Sequence, residues 1–402
     1  MTHSEKVENL LYPWNKSLTS KEFLLVDDTL RDGLQAPHVT APNFMGKLQL
    51  LEQMEKNHVD VCIAAFPASS PKAMTQAKGM IEYVEKQGYQ LSLAFAGRTS
   101  LEDLEPMVTL QQHSRKRLTA YAFVGCSPIR QYIECWDIAF IESSIIESIA
   151  YLKANNLKPI AVFEDATRSR PEDLRRFILS GLDAGAEGIC LADTVGYVDP
   201  SGVEALLSFA KDLTGEGIDL EWHGHNDRGL AVANALTALS CGANALHATS
   251  LGIGERAGNL CLEQLLINLY LAGDERWDIS HLCEFAELTS QLAHVPIPAA
   301  LPGIGQAVFT TGTGVHASAV YKAIKSSELD LADMVYSSVP ARKLGRRQNI
   351  EVGPMSGRAN VMAKCATMGL ECNEDQVLAV LDVAKQGNRI LQEDEILTIL
   401  NF

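Results

Sequence analysis

Three side chains in this sequence could grip a divalent cation: Asp32, within Asp28-Thr29-Leu30-Arg31-Asp32-Gly33, and the imidazoles of His223-Gly224-His225. Residues two apart on an extended strand share one face, so both imidazoles can aim at a single ion. One carboxylate with two imidazoles is a mixed oxygen and nitrogen set with room for water or substrate. It suits a Lewis-acidic ion such as Zn, Mn, Mg, Co or Fe. An isolated H-x-H is more often a pair of satisfied core histidines, so its position in the fold has to carry the functional reading.

That position follows from the elements around it. From Phe23 to about Gly273, short β-branched or apolar runs alternate with segments whose apolar residues recur at three- and four-residue steps, the pattern of repeated βα units. Eight strands are predicted, beginning at Phe23, Val59, Tyr89, Arg117, Lys158, Glu187, Ile218 and Ala243. Eight such units predict an α/β chain with a closed (β/α)8 TIM barrel over residues 21–275, with an open doubly wound sheet as the alternative. Barrel active sites lie at the C-terminal strand ends. Asp32 follows strand one, the His pair ends strand seven, and only strand eight separates those two in a closed ring. The loop after strand eight, GIGERAGN, ends at Asn259 and completes the arc. Residues 1–20 read as a polar N-terminal arm, and residues 276–402 as a mainly helical C-terminal region, with helices over Ile279–His294 and Glu374–Asn401.

The 402 residues carry 34 Lys+Arg against 50 Asp+Glu, a net charge of -16 that repels nucleic acid and anionic lipid. No uninterrupted apolar run approaches a membrane span, and the N-terminus lacks a signal-peptide pattern. The nine cysteines show no C-x-x-C spacing and are expected to be free thiols in a reducing cytoplasm.

With these residues placed, the sequence resembles the DRE-TIM metallolyase superfamily, and within it the Claisen-condensing branch of 2-isopropylmalate, homocitrate and citramalate synthases. The markers are DTLRDGLQ at 28–35, FPASSP at 66–71, EDATRS at 164–169, ADTVGY at 192–197, HGHNDRGLAVANAL at 223–236 and GERAGN at 254–259, followed by TGTGVHASAV around His316 and VGPMSGRANV at 352–361. The resemblance implies an acyltransferase that condenses acetyl-CoA, as cosubstrate, with a 2-oxo acid around a divalent metal cation. Asp32, His223 and His225 match the family's metal ligands, and Asn259 a further residue of that site. Arg31 matches the arginine beside the ligand, which stabilises developing negative charge, and Thr194 the threonine that binds the substrate carboxylate. Glu164 and His316 are implied as candidate bases, with Tyr336 beside His316 in a lid. Arg98, after strand three, joins Thr194 and Arg130 as a substrate-binding candidate. The C-terminal lid and dimerisation subdomains imply a homodimer.

Two departures stand out. Cys62-Ile63-Ala64-Ala65-Phe66-Pro67 lacks the acidic residue usual in the synthases, and Ser127-Pro128-Ile129-Arg130 has a guanidinium where the leucine-pathway enzymes carry imidazole. Arg130 is therefore expected to accept an oxo acid with a second anionic group. No leucine-sensing regulatory domain is expected. The basic run Arg342, Lys343, Arg346 and Arg347 is either a solvated loop or a contact for coenzyme A phosphates or a partner subunit. The alternatives to the synthase reading are a lyase of the same superfamily and a non-catalytic metal-binding barrel. GERAGN argues against the CoA lyases, which carry a glycine-rich cysteine loop there. The joint presence of Asp32, Arg31, Glu164 and His316 argues against a scaffold.

Overall fold

The structure, a computed structural model, describes Leu10, Trp14 and residues 22–215, 217–274 and 276–401. The expected arm over residues 1–20 thus falls outside the described residues, Leu10 and Trp14 excepted. Eight parallel strands close on themselves in chain order: β1 Leu24–Asp27, β2 Val61–Ala65, β3 Ser92–Arg98, β4 Thr119–Gly125, β5 Lys158–Glu164, β6 Gly188–Asp193, β7 Asp219–Gly224 and β8 Ala245–Ala248. Each lies within or against a predicted strand segment. The ring is sealed where Asp27 pairs with Cys62 on one side and with Ala248 on the other.

Alternation sorts each strand's side chains between two cores. Val26, Ile63, Ala94, Ala96, Tyr121, Ile160, Cys190 and Ala245 pack together inside the barrel. Their neighbours along the strands, such as Leu25, Phe95, Phe163 and Trp222, are almost completely buried outside it, where the helices cover the sheet. The helices start and stop on local signals. Pro71–Gln87 begins with Ser70 accepting from the Ala73 N–H and Pro71 in its first turn, and ends on Gly88 at φ 70°. Pro171–Ala184 begins on a proline and stops at Gly185 with φ 99°.

The chain divides into two compact units. Residues 18–296 form one and residues 297–402 the bulk of the other. The first includes Leu282–Ala293, which sequence periodicity assigns to the C-terminal region beyond residue 275. That helix buries Leu282, Phe285 and Ala286, the Ala293 carbonyl accepts from the Thr40 N–H at 3.0 Å, and Glu284 accepts from Gln53 Nε2 of the first barrel helix at 2.9 Å. Sequence-distant partners therefore bind the helix to the barrel.

The second unit is helical, with Gly314–Lys325, Leu329–Met334, Arg358–Thr367, Glu374–Gln386 and Glu393–Leu400 joined by a two-residue strand pair. One expectation fails here. Cys365 and Cys372 form a disulfide, with Cα atoms 6.6 Å apart. The chain reverses at Gly369, where φ is 73°, and the Leu370 N–H returns to the Cys365 carbonyl, a reversal that brings the second thiol back to the first. The other seven cysteines are outside any disulfide. Among the described residues, no helix is long and apolar enough to cross a membrane.

Phe163→Ala removes a fully buried ring from the layer between sheet and helices. It is expected to destabilise the protein by about 3–5 kcal/mol, read as a lower midpoint in urea unfolding. A loss under about 1 kcal/mol would contradict this packing.

Candidate active site

Asp32 owes its place to a turn clamped on both sides. The Thr29 N–H donates to Asp27 Oδ1 at 2.7 Å, the Asp28 N–H continues the ladder to the Ala248 carbonyl, and Thr29 Oγ1 accepts from the Ser250 N–H at 2.9 Å. The loop after β8 is thereby tied to the turn after β1. That loop also runs beside the end of β7, where the Leu260 N–H donates to the Gly224 carbonyl and the Asn226 N–H to the Gly258 carbonyl. Gly258 has φ 85°, and a Cβ there would lie 2.0 Å from the Gly252 oxygen, so only glycine allows the close approach.

These constraints bring three candidate ligand atoms together. His223 Nε2 and His225 Nε2 are 3.4 Å apart, and they lie 3.6 and 3.5 Å from Asp32 Oδ2. Two ligands each about 2.1 Å from one ion, at a near-tetrahedral angle, lie about 3.4 Å apart, so the triangle fits a divalent cation. All three residues are buried. Burial would raise the Asp32 carboxyl, but the Arg31 guanidinium and the Asn259 hydrogen bond oppose it, and the carboxyl is held well below the usual carboxylate range. Burial pushes both imidazoles below their ordinary value. An ionised carboxylate facing two neutral imidazoles is the protonation state a metal requires. Asn259 Nδ2 donates to Asp32 Oδ2 at 2.6 Å, so in this arrangement the amide orients the carboxylate. Its Oδ1 is buried and has no hydrogen-bond partner among the described residues, an acceptor at the same place.

Behind the triangle stand groups to which sequence gave no role. Asp28, fully buried, accepts from Arg31 Nε at 2.9 Å and from the adjacent Arg31 Nη2, and its Oδ2 lies 3.7 Å from His223 Nδ1. It holds Arg31 by hydrogen bonds and faces the Nδ1 edge of His223. Deeper in the barrel, Glu221 Oε2 and His247 Nε2 are 2.7 Å apart, and Tyr121 is hydrogen-bonded to the same glutamate. Burial pushes Glu221 up to about 8 and His247 down to about 3, which suits a neutral pair within an apolar wall. The signal was present: Glu221 lies two residues before His223 and so shares its inward face.

A cavity of about 280 Å³ opens beside the triangle. Arg31, Glu164, Thr194 and Arg256 line it together with the half-buried apolar residues Phe66, Phe123 and Val162 and the buried Ile63. Glu164 ends β5, and burial raises its carboxyl against the pull of Arg130. Thr194 Oγ1 accepts from the Asp165 N–H at 2.8 Å. Arg98 and Arg130 are not among the lining residues. Arg98 is turned onto Asp103 through two hydrogen bonds of 2.6 and 2.9 Å. Arg130 lies 3.5 Å from Glu164 and 3.2 Å from Glu134, so its charge is met by the protein's own carboxylates. His316 and Tyr336 belong to the second unit, where their rings stack with centroids 3.8 Å apart.

The profile of the HMGL-like family matches residues 22–295. The 2-isopropylmalate synthase of Sulfolobus acidocaldarius is 29% identical over 385 residues, covering 94% of this chain and 95% of that protein. That of Shouchella clausii is 30% identical over 373 residues, covering 90% and 69%. Among solved structures, an HMG-CoA lyase from Bacillus subtilis superposes with a TM-score of 0.59 at 19% identity, over 69% of this chain and 96% of that one, a likeness of fold.

Manganese titrated calorimetrically into metal-free protein is expected to bind at one site per chain. His225→Ala should weaken it by more than about 100-fold, and Asp28→Asn, which disturbs a supporting group, by about 10–100-fold. Unchanged affinity in His225→Ala would place the ion elsewhere.

Proposed function

The chain belongs to the HMGL-like family, and from that premise we propose that it condenses acetyl-CoA with a 2-oxo acid, releasing coenzyme A and a 2-hydroxy-2-alkyl dicarboxylate. The observation that carries this reading is the triangle of Asp32, His223 and His225, with sides of 3.4–3.6 Å, beside Arg31 at a cavity of substrate size. The synthase name borne by relatives along most of the chain supports it.

Asp32, His223 and His225 would hold the divalent cation, which supplies Lewis-acid polarisation of a bound ketone. Thr194, on the cavity wall, would receive the oxo acid's carboxylate. Glu164, on the cavity wall, takes a proton from the acetyl methyl group, and the freed carbon forms the new bond to C2 of the oxo acid. The C2 oxygen gains negative charge as that bond forms, and Arg31, always protonated, stabilises it. Water then cleaves the thioester, giving a carboxylate and the coenzyme A thiol. Ile63, Phe66, Phe123 and Val162 on the cavity wall favour an acceptor with a hydrocarbon side chain, since an unpaired anion there would lose its hydration. The reading includes a homodimer and a cytoplasmic setting.

Thiol release followed with acetyl-CoA and a panel of 2-oxo acids is the test. Thiol appearing only with an oxo acid, most readily a branched aliphatic one, is expected. Preference for a dicarboxylic acceptor would instead give Arg130 a substrate-binding role, and no release with any acceptor would remove the synthase in favour of a lyase. With Glu164 as base, kcat/KM should rise with pH through a pKa above the ordinary glutamate value, because the deprotonated form acts. Arg130→Ala removes a charge that lowers that pKa, so the acid limb should move to higher pH. A limb that stays in place would free Glu164 from this role.

A further inference from the structure

We propose that Glu263, which is not among the residues lining the cavity, is a positioning residue for the metal triangle. The inference rests on the metal reading of Asp32, His223 and His225. Glu263 lies in the first turn of the helix Leu262–Leu271, which follows the last barrel loop, and it is fully buried. Both of its carboxylate oxygens are taken up by that loop. Oε1 accepts from Ser250 Oγ at 2.7 Å, and the Leu251 N–H is shared between Oε2 at 2.9 Å and Oε1 at 3.1 Å. Cys261 Sγ donates to Oε2 at 3.1 Å. A buried anion is unfavourable unless donors surround it, and here the donors converge on one short stretch of backbone.

That stretch is strained. Leu251 has φ 58° and ψ 7°, the left-handed region that a bulky side chain rarely enters. Gly252 follows at φ 64°, but glycine adopts that conformation freely, so Leu251 is the residue that has to be held. Its N–H meets both oxygens of Glu263, and relaxation to an ordinary conformation would turn the peptide away from them. Strain of this kind persists only where the surroundings over-determine it, and the carboxylate is the group that does so.

Two arms run from the residues on either side of Leu251 and meet at Asp32. On one side the Ser250 N–H donates to Thr29 Oγ1 at 2.9 Å, in the turn that carries Asp32. On the other the Gly252 carbonyl accepts from the Asn259 N–H at 2.9 Å, and Asn259 Nδ2 donates to Asp32 Oδ2 at 2.6 Å. If Leu251 relaxed, the peptide groups of both neighbours would rotate and both arms would shift. Glu263 thus acts on the oxygen ligand through the loop, without touching it.

Manganese titrated calorimetrically into the metal-free full chain tests this. Glu263→Gln keeps the size of the side chain but removes its charge and one acceptor oxygen. It should weaken binding about tenfold or more, the effect of losing a group that orients a metal ligand. Adding Leu251→Gly removes the strain that the carboxylate opposes and should recover most of the loss. Hydrogen exchange read by mass spectrometry on the metal-free protein should be faster over residues 249–261 in the single variant and close to wild type in the double variant. A glutamate that only stabilises the fold predicts a lower thermal midpoint, unchanged manganese affinity and a further loss of stability on adding Leu251→Gly. Unchanged affinity in Glu263→Gln, or no recovery in the double variant, would overturn the proposal. Should Glu263→Gln not fold, Ser250→Ala deletes one donor and leaves the buried charge in place, and equal manganese affinity in that variant overturns it too. A wild type that binds no manganese removes the triangle together with this role. Thiol release enters none of these measurements, so the synthase reading can fail without altering the outcome.

Discussion

Everything at this barrel mouth depends on three candidate ligand atoms held about one metal-coordination edge apart by a ring that must close. Asp32 hangs from the end of β1 and the two histidines from the end of β7, and β8 alone joins those strands. The 3.4–3.6 Å spacings are therefore a property of barrel closure, set by ladder hydrogen bonds some two hundred residues apart in sequence. Burying a carboxylate beside neutral imidazoles is unfavourable without a compensating positive charge. Arg31 supplies part of it, and a divalent cation would supply the rest.

The surrounding residues serve that arrangement in layers. Asp28 fixes Arg31 by hydrogen bonds, so the guanidinium is aimed, and its other carboxylate oxygen faces the far side of His223. Below, the Glu221–His247 pair fills the barrel where an apolar core would be expected. Above, Gly258 lets the last loop pass against the end of β7 and sets Asn259 onto Asp32. Towards the substrate the wall turns apolar at Ile63, Phe66, Phe123 and Val162, with Glu164 as its acid.

Much of this was legible in the sequence because it obeys short periods. Period-two alternation put His223 and His225 on one face, and eight strand and helix alternations favoured a ring over an open sheet, so the meeting of Asp32 with the two imidazoles followed from rules that act locally. Contacts set by side-chain competition were hidden. Arg98 follows the right strand, yet Asp103 five residues on captures it. Arg130 occupies a position that suggested an anionic substrate, and the carboxylates of Glu164 and Glu134 reach it first. The Cys365–Cys372 bond depends on a left-handed turn at Gly369 that spacing alone does not announce. Leu282–Ala293 belongs with the barrel through Thr40 and Gln53, partners far away in sequence. Glu221 and His247 obey the alternation rule, but charged residues inside strands are uncommon, so the pattern alone does not mark them as a pair.

The central claim is most directly tested by anomalous diffraction from a crystal grown with manganese. A single strong peak about 2.0–2.2 Å from Asp32 Oδ, His223 Nε2 and His225 Nε2 together is the predicted result. A barrel mouth without a peak, or a manganese ion bound away from these three atoms, would contradict the account.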